Sequence, residues 1–277
     1  MLIKFNNVSF KYGKKDMYAL KNVNITFDKS EIVFIMGHTG SGKSTLVQHI
    51  NGLLKCCDGN VEINIADDKY MLSSMNKEKK IKNLRKSIGL VFQFPEYQLF
   101  ETTVIKDVMF GPLNFYKDEI KAREFAVKAL NKVGINESYY DRSPFELSGG
   151  EKRKIAIAGV LASNPDIIIM DEPTSSLDSN SSKEIMNIVS SLKEEGKLVI
   201  IISHDTDLCY EYGDRVVVLN EGEIIKDSSV FDIFNDEIVL EKSRLIEPFV
   251  SKVKRLKKIN DNNIRNVYDL KEVIKNG

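Results

Sequence analysis

Ile32-Val33-Phe34-Ile35-Met36-Gly37-His38-Thr39-Gly40-Ser41-Gly42-Lys43-Ser44-Thr45 is an apolar run that breaks into a glycine-rich loop, and an apolar-periodic helix is predicted from Thr45 onward. The spacing from Gly37 to Gly42-Lys43-Ser44 fits G-x-x-x-x-G-K-[ST], and a strand before it and a helix after it are the context that pattern requires. Glycines let successive backbone N–H groups turn inward around an anion, while the following helix points its positive end at it. In such a loop Lys43 reaches the β- and γ-phosphates and Ser44 offers its hydroxyl to Mg²⁺. A plain glycine turn ahead of a helix would not require Lys-Ser in register. The stretch predicts a nucleoside triphosphate site, and alone it does not separate a kinase, a GTPase or a motor.

The totals frame that site. A chain of 277 residues with 42% hydrophobic content can bury a core and carry one large domain or a domain with an appendage. Forty basic and forty acidic side chains cancel, so no global field gathers nucleic acid, and none is expected as a partner. From Leu240 onward ten Lys/Arg face five Asp/Glu, a basic tail that reads as a solvated helix face. Apolar runs such as Leu198–Ile202 are too short to span a bilayer, and residues 1–30 lack the pattern of a signal peptide, so a soluble cytosolic chain is expected. Cys56, Cys57 and Cys209 give neither a disulfide framework nor metal-ligand spacing, and the three histidines lie far apart.

Residues 2–10 and 20–27 alternate apolar with polar, as do Val61–Ile65 after a turn at Cys57-Asp58-Gly59; together they predict an antiparallel sheet. Tyr12 lies in the Tyr12-Gly13-Lys14-Lys15 break, where a ring that stacks on an adenine and an ordinary loop tyrosine fit the sequence equally well. Met71–Lys86 is polar and partly helical in pattern, and Ile88–Phe92 is a buried strand that ends on Gln93. Residues 102–140 have helical periodicity, with Ala122, Phe125, Ala126, Ala129, Leu130 and Val133 on one face and Gly134 as a stop. Ser148-Gly149-Gly150-Glu151 opens a helix to about Ser163 and reads as a capping box. Two glycines in that first turn cost about 1 kcal/mol each, and they leave bare N–H groups suited to a second phosphate contact.

Ile167–Met170 shows no alternation, as expected of a strand covered on both faces, and it delivers Asp171-Glu172 to its carboxyl end. The first acid suits a metal held through water, and the second suits proton abstraction from an attacking water. A helix is predicted to about Glu195, then a buried strand Leu198–Ser203 ending on His204, then a hairpin made of Val216–Leu219 and Glu223–Ile225.

In this order Tyr12, Gly37–Thr45, Gln93, Leu147-Ser148-Gly149-Gly150-Glu151, Asp171-Glu172, Ser176-Leu177-Asp178 and His204 resemble the motifs of the ATP-binding-cassette family, over residues 1 to about 230. The resemblance implies an α/β P-loop NTPase fold with a mainly parallel core sheet, an antiparallel β subdomain, an inserted helical subdomain at about 94–165, and a C-terminal helical extension at 231–277. It also implies two ATP molecules sandwiched in a head-to-tail dimer, each between the phosphate loop of one subunit and Ser148-Gly149-Gly150-Glu151 of the other. Glu172 would act on the attacking water, with His204 fixing that water and the γ-phosphate. Ser44, Gln93 and, through water, Asp171 would hold Mg²⁺; Asp178 would occupy the short loop after the acidic pair. Gln93 would also link the site to a transmembrane partner.

Val91–Phe100, Gly37–Gly40 and Asp141–Leu147 look more narrowly like the ATPases of energy-coupling factor (ECF) transporters, importers of vitamins or of cobalt or nickel, and more like the second of their two ATPase subunits. The implied partners are a second ABC ATPase (a heterodimer ahead of a homodimer), a transmembrane coupling protein and a substrate-specific membrane component, with this chain peripheral on the cytoplasmic face of the membrane. Glu151 departs from the commoner Gln, and Cys56-Cys57 from a Pro-Thr turn. Leu245, Ile246, Phe249, Val250, Val253 and Leu256, then Val267, Leu270, Val273 and Ile274, predict two short amphipathic tail helices, facing either the partner ATPase or their own domain. The competing functions are an ABC ATPase of another transporter class and a non-transport cassette acting on DNA or ribosomes. The 105 positions between Lys43 and Ser148 leave no room for a long coiled-coil arm.

Overall fold

The structure, a computed structural model, describes residues 1–13, 17–66, 68–72 and 78–276. Lys14 and Lys15 of the expected break, and 73–77 of the expected polar segment, lie outside the described residues. The chain begins with β1 (Leu2–Phe10) and β2 (Leu20–Phe27), an antiparallel pair. After β3 (Ile32–Met36) and α1 (Lys43–Ile50), β4 (Asp58–Ile65) and β5 (Asp68–Met71) complete a four-stranded antiparallel sheet of order β2-β1-β4-β5. The expected turn at Cys57-Asp58-Gly59 is corrected here: Asp58 and Gly59 already belong to β4, paired with the end of β1 through an irregular register.

α2 (Glu78–Ser87) leads into β6 (Ile88–Val91). The helical region expected over 102–140 is two helices, α3 (Val104–Tyr116) and α4 (Glu119–Lys132). The chain turns at Lys117, in the left-handed region at φ 54°, and Asp118 caps α4 by accepting from the Lys121 N–H. Phe125 is only partly buried and stacks on Tyr116, ring centroids 5.0 Å apart, so that it closes the α3/α4 seam. α5 (Gly149–Leu161) crosses both helices before β7 (Ile167–Asp171).

α6 (Ser179–Glu194), β8 (Leu198–Ile202), α7 (Thr206–Tyr212), β9 (Arg215–Asn220) and β10 (Glu223–Ser229) follow. The six-stranded core sheet has the order β10-β9-β3-β8-β7-β6, parallel throughout except for the closing β9/β10 hairpin. Its central strands are buried on both faces, and their side chains divide with a period of two. Phe34, Met170, Ile201 and Val218 face the cluster shared with the helices, whereas Ile35, Ile169, Ile200 and Val217 face the cluster under the antiparallel sheet. The expected α/β class, with its mainly parallel core and antiparallel subdomain, is what the structure shows.

The tail comprises α8 (Val230–Phe234), α9 (Glu237–Ser243), α10 (Phe249–Lys257) and α11 (Val267–Asn276). It packs back on the same chain: Val250, Ile264 and Leu270 join the core cluster that holds Cys209 and Tyr210 of α7. Of the residues expected on the apolar face of the first tail helix, Val250 is buried against this domain, whereas Ile246, Phe249 and Leu256 are exposed. Among the described residues no helix is long and apolar enough to cross a membrane.

Candidate nucleotide site

Because β3, β8, β7 and β6 are parallel neighbours, their carboxyl ends open on one edge of the sheet, where ligands of such folds gather. The loop after β3 turns sharply at Gly37, φ 139°, where a Cβ would lie 2.1 Å from the Leu219 carbonyl oxygen. Gly42, φ 106°, is the N-cap of α1, and a Cβ there would lie 2.6 Å from the Ala19 carbonyl oxygen. These positions admit glycine alone, for space as well as for conformation. α1 therefore starts at Lys43, two residues before the predicted Thr45. Its apolar pattern begins where the first turn ends, because that turn faces the cleft and not the core.

The closing hairpin braces the loop. The Gly222 N–H donates to the Ser41 carbonyl at 3.0 Å, and the His38 ring lies 3.0 Å from the Asn220 side chain. Lys43 Nζ donates to the carbonyls of Gly37 and His38 at 2.8 and 2.9 Å. Burial lowers its pKa, opposed by the negative charges of Glu172 and Asp171. Thr45 Oγ1 is 3.1 Å from the Tyr12 hydroxyl, and Tyr12 stands edge-on to Phe10 at 4.9 Å with its ring half exposed.

Asp171 ends β7 with an Oδ2 that accepts from Ser44 Oγ at 3.4 Å. Burial raises its carboxyl pKa, aided by Glu172 and opposed by the Ser44 hydrogen bond and Lys43. Glu172 adopts φ 49°, left-handed for a non-glycine, fixed by its N–H to the Ile202 carbonyl at 2.9 Å. Such a conformation costs on the order of 1–2 kcal/mol, which the strand end must hold. Its Oε1 lies 2.7 Å from His204 Nδ1, with Glu172 nearly buried and His204 largely exposed.

One cleft of about 620 Å³ is lined by Tyr12, Thr39, Gly40, Gly42, Lys43, Ser44, Thr45, Gln93, Asp171, Glu172 and His204 together. Residues 37, 38 and 41 form the loop behind it. Met17, Tyr18, Ala19 and Ile202 also line it; no sequence pattern marks the first three, which precede β2 in an irregular break, while Ile202 reads as the apolar end of a buried strand. Ser148, Gly149, Gly150, Glu151 and Asp178 do not line it. The Ser148–Glu151 capping box is complete in both directions. Glu151, in place of a glutamine, accepts from the Ser148 N–H and Oγ and from the Tyr139 hydroxyl at 2.9, 2.7 and 2.8 Å. Those bonds, Ser148 first, hold its carboxyl below the ordinary range. Asp178 caps α6, accepting from the N–H groups of Asn180 and Ser181.

Residues 20–175 match the ABC transporter family. The chain belongs to that family. An energy-coupling factor transporter ATP-binding protein EcfA2 from Leuconostoc mesenteroides is 47% identical to this ABC protein over 243 residues, covering 86% of this chain and 84% of the relative. The protein of the same name from Lactobacillus gasseri is 46% identical over 258 residues, covering 92% and 88%. Among solved structures, cbiO1 from Clostridium perfringens, part of the ABC transporter complex cbiONQ, superposes with a TM-score of 0.76 at 35% identity, covering 93% of this chain and 98% of that one. A dimeric, post-hydrolysis ATP-binding cassette bound to ADP and Pi superposes at 0.70 with 34% identity, covering 82% and 98%.

Proposed function

We propose that this chain is the ATP-binding and ATP-hydrolysing subunit that energises an ECF-type importer of vitamins or transition-metal ions. The observation that carries this reading is a division of chemistry within the chain. The phosphate loop, Asp171, Glu172 and His204 share one cleft, whereas the Ser148–Glu151 helix terminus stands outside it. A second cassette would supply that terminus head to tail, and ATP would hold the halves closed until hydrolysis lets them part. The naming of the relatives and the dimeric state of one solved neighbour support the same arrangement.

In the closed state Glu172 takes a proton from water as the water oxygen bonds to the γ-phosphorus and the bond to the bridging oxygen breaks, leaving ADP and phosphate. His204, in contact with Glu172, orients the water and the γ-phosphate. Tyr12 would offer a face to the base, and Asp178, which caps α6, would face the second cassette. The donors present fit Mg²⁺: the Ser44 hydroxyl, the Asp171 carboxylate and the Gln93 amide are hard oxygen ligands on one cleft. Among the described residues no group of three or more His, Cys, Asp or Glu side chains holds a metal unaided, so the phosphates and water would complete the shell. Held by those residues, Mg²⁺ would supply charge neutralisation to the phosphates.

The partners in this reading are a second cassette ATPase, a transmembrane coupling protein and a substrate-specific membrane component, with the chain peripheral on the cytoplasmic face. The exposed stripe Ile246, Phe249 and Leu256 of the tail would face the second cassette. Capture of the tagged protein from mild-detergent membranes of its host tests this: a second cassette and polytopic membrane proteins should come with it. Recovery of ribosomes or DNA without a membrane protein would overturn it.

A further inference from the structure

Arg153 lies one turn into α5, on a helix where a run of Lys-Arg-Lys would ordinarily face water, yet it is 1% exposed. Its Nε and Nη2 donate to Glu96 Oε2 and Oε1 at 3.0 and 2.7 Å, a bidentate pair. Its Nη1 donates to the carbonyls of Pro173 and Ser175 at 3.2 and 2.6 Å. Four N–H bonds of a planar fork are thus used across two separate segments. One is the 3₁₀ turn Pro95–Gln98, which follows Gln93 and presents Tyr97, 84% exposed, to the outside. The other is the strap that leaves Glu172, closed by the Ser175 N–H to the Glu172 carbonyl at 3.2 Å.

Both segments are conformationally loaded. Phe94 at φ 54° opens the first, while Glu172 at φ 49° and Ser176 at φ 62° bound the second. Residues in this region hold it only where the surroundings fix them, and Arg153 hydrogen-bonds to both segments. Burial, the largest single influence, pushes the Glu96 carboxyl up, but the Arg153 hydrogen bond, a backbone hydrogen bond at Glu96 and the Arg153 charge together hold it below its ordinary value. The adjacent Lys154 pairs instead with Glu184 of α6, so the two cations have separate tasks.

We propose that Arg153 is a positioning residue that ties the strap behind Glu172 to the exposed 94–98 turn, so that a change at the γ-phosphate end of the cleft moves the surface on which a membrane partner docks. This rests on the reading of the chain as an ATPase with such a partner. A lysine would keep the charge yet lose the fork: one ammonium cannot span both Glu96 oxygens and both carbonyls.

The test is hydrogen exchange of the full chain in a Glu172→Gln background, with and without Mg·ATP, alone and combined with Arg153→Lys or Glu96→Gln. Glu96→Gln keeps the shape should Arg153→Lys fold poorly. In the parent, nucleotide should change exchange both at 173–178 and at 94–100. In either double variant the change at 173–178 should persist while that at 94–100 is lost. Equal responses at both segments with and without the fork would overturn the inference while leaving the ATPase reading intact. So would a nucleotide-independent loosening spread along the whole of α5, which would mark Arg153 as packing alone. Failure of the parent to bind ATP would remove the functional reading and this inference together.

Discussion

Replacing Glu172 by glutamine isolates the step assigned to its carboxylate. Glutamine matches glutamate in length and volume, and its backbone has the same difficulty at φ 49°, so the turn that presents the side chain gains no new strain. The amide can still meet His204 across the 2.7 Å contact now made by Oε1. Lys43 and Ser44 form their hydrogen bonds with Gly37, His38 and Asp171, not with Glu172, so the phosphate cradle is untouched. What is removed is proton acceptance, together with one negative charge that acts on Lys43 and Asp171.

Loss of a general base costs about 10²–10⁴ in rate, and at 1.36 kcal/mol per decade that is about 2.7–5.5 kcal/mol of barrier. ATP affinity should hold or rise, because one negative charge beside the phosphates is gone. Phosphate release at saturating Mg·ATP, read alongside nucleotide titration of the same preparation, measures both. A turnover within about threefold of the parent, less than 1 kcal/mol of barrier, would show that another group accepts the proton. Lost binding would show that Glu172 belongs to the cradle instead.

Gly37→Ala should abolish ATP binding and destabilise the chain by at least about 2 kcal/mol, since its Cβ would meet the Leu219 carbonyl, which no rotamer change relieves. Gly40→Ala is the control: with nothing within 4 Å of its Cβ, calorimetry should show only the left-handed cost of about 1–2 kcal/mol. His49 is fully buried and its pKa is lowered by burial, against the Thr45 carbonyl contact. The unfolded chain therefore binds the extra proton first: the stability from a neutral His49 is whole above about pH 6.5 and is lost as pH falls toward the lowered folded value. Urea midpoints on either side of about pH 6.5 should differ less in His49→Gln than in the parent, and an unchanged difference would remove His49 from this role. Lys254, 7% exposed, donates to the Tyr210 hydroxyl at 3.0 Å with no carboxylate partner among the described ion pairs. Lys254→Met should therefore leave stability within about 1 kcal/mol, by thermal melting, and a loss above about 3 kcal/mol would mean that the ammonium is needed.

The strands were legible because their burial leaves a period in the sequence. Ile32–Met36, Ile167–Met170 and Leu198–Ile202 read as runs without alternation, and all are covered on both faces. β5 was not legible, since Asp68–Met71 is an edge strand with one buried side chain, Tyr70, and so carries no pattern. The cleft residues that follow strand ends could be placed from sequence, because a parallel sheet brings its carboxyl ends to one edge. Arg153 could not: a cation between two lysines on a helix reads as a solvated face, and only the fold brings Glu96, 57 positions away, into its plane.

The tail shows the same limit from the other side. Its stripe of Phe249, Val253 and Leu256 was legible as amphipathic, but periodicity reports that a helix has an apolar face, not which face docks at home. α10 turns Val250 and Lys254, one helical turn apart, toward α7. The lysine's aliphatic stem and its ammonium settle among Tyr210 and Phe231, each ring centroid 5.5 Å from Nζ. An aromatic site that accepts one cation turns Val250, Ser251 and Lys254 inward and leaves Phe249 and Leu256 outside, beside the exposed Lys252, Arg255 and Lys257. Of the ten basic side chains from Leu240 onward, Lys254 thus has a structural cause that a count of charges reads only as solvation.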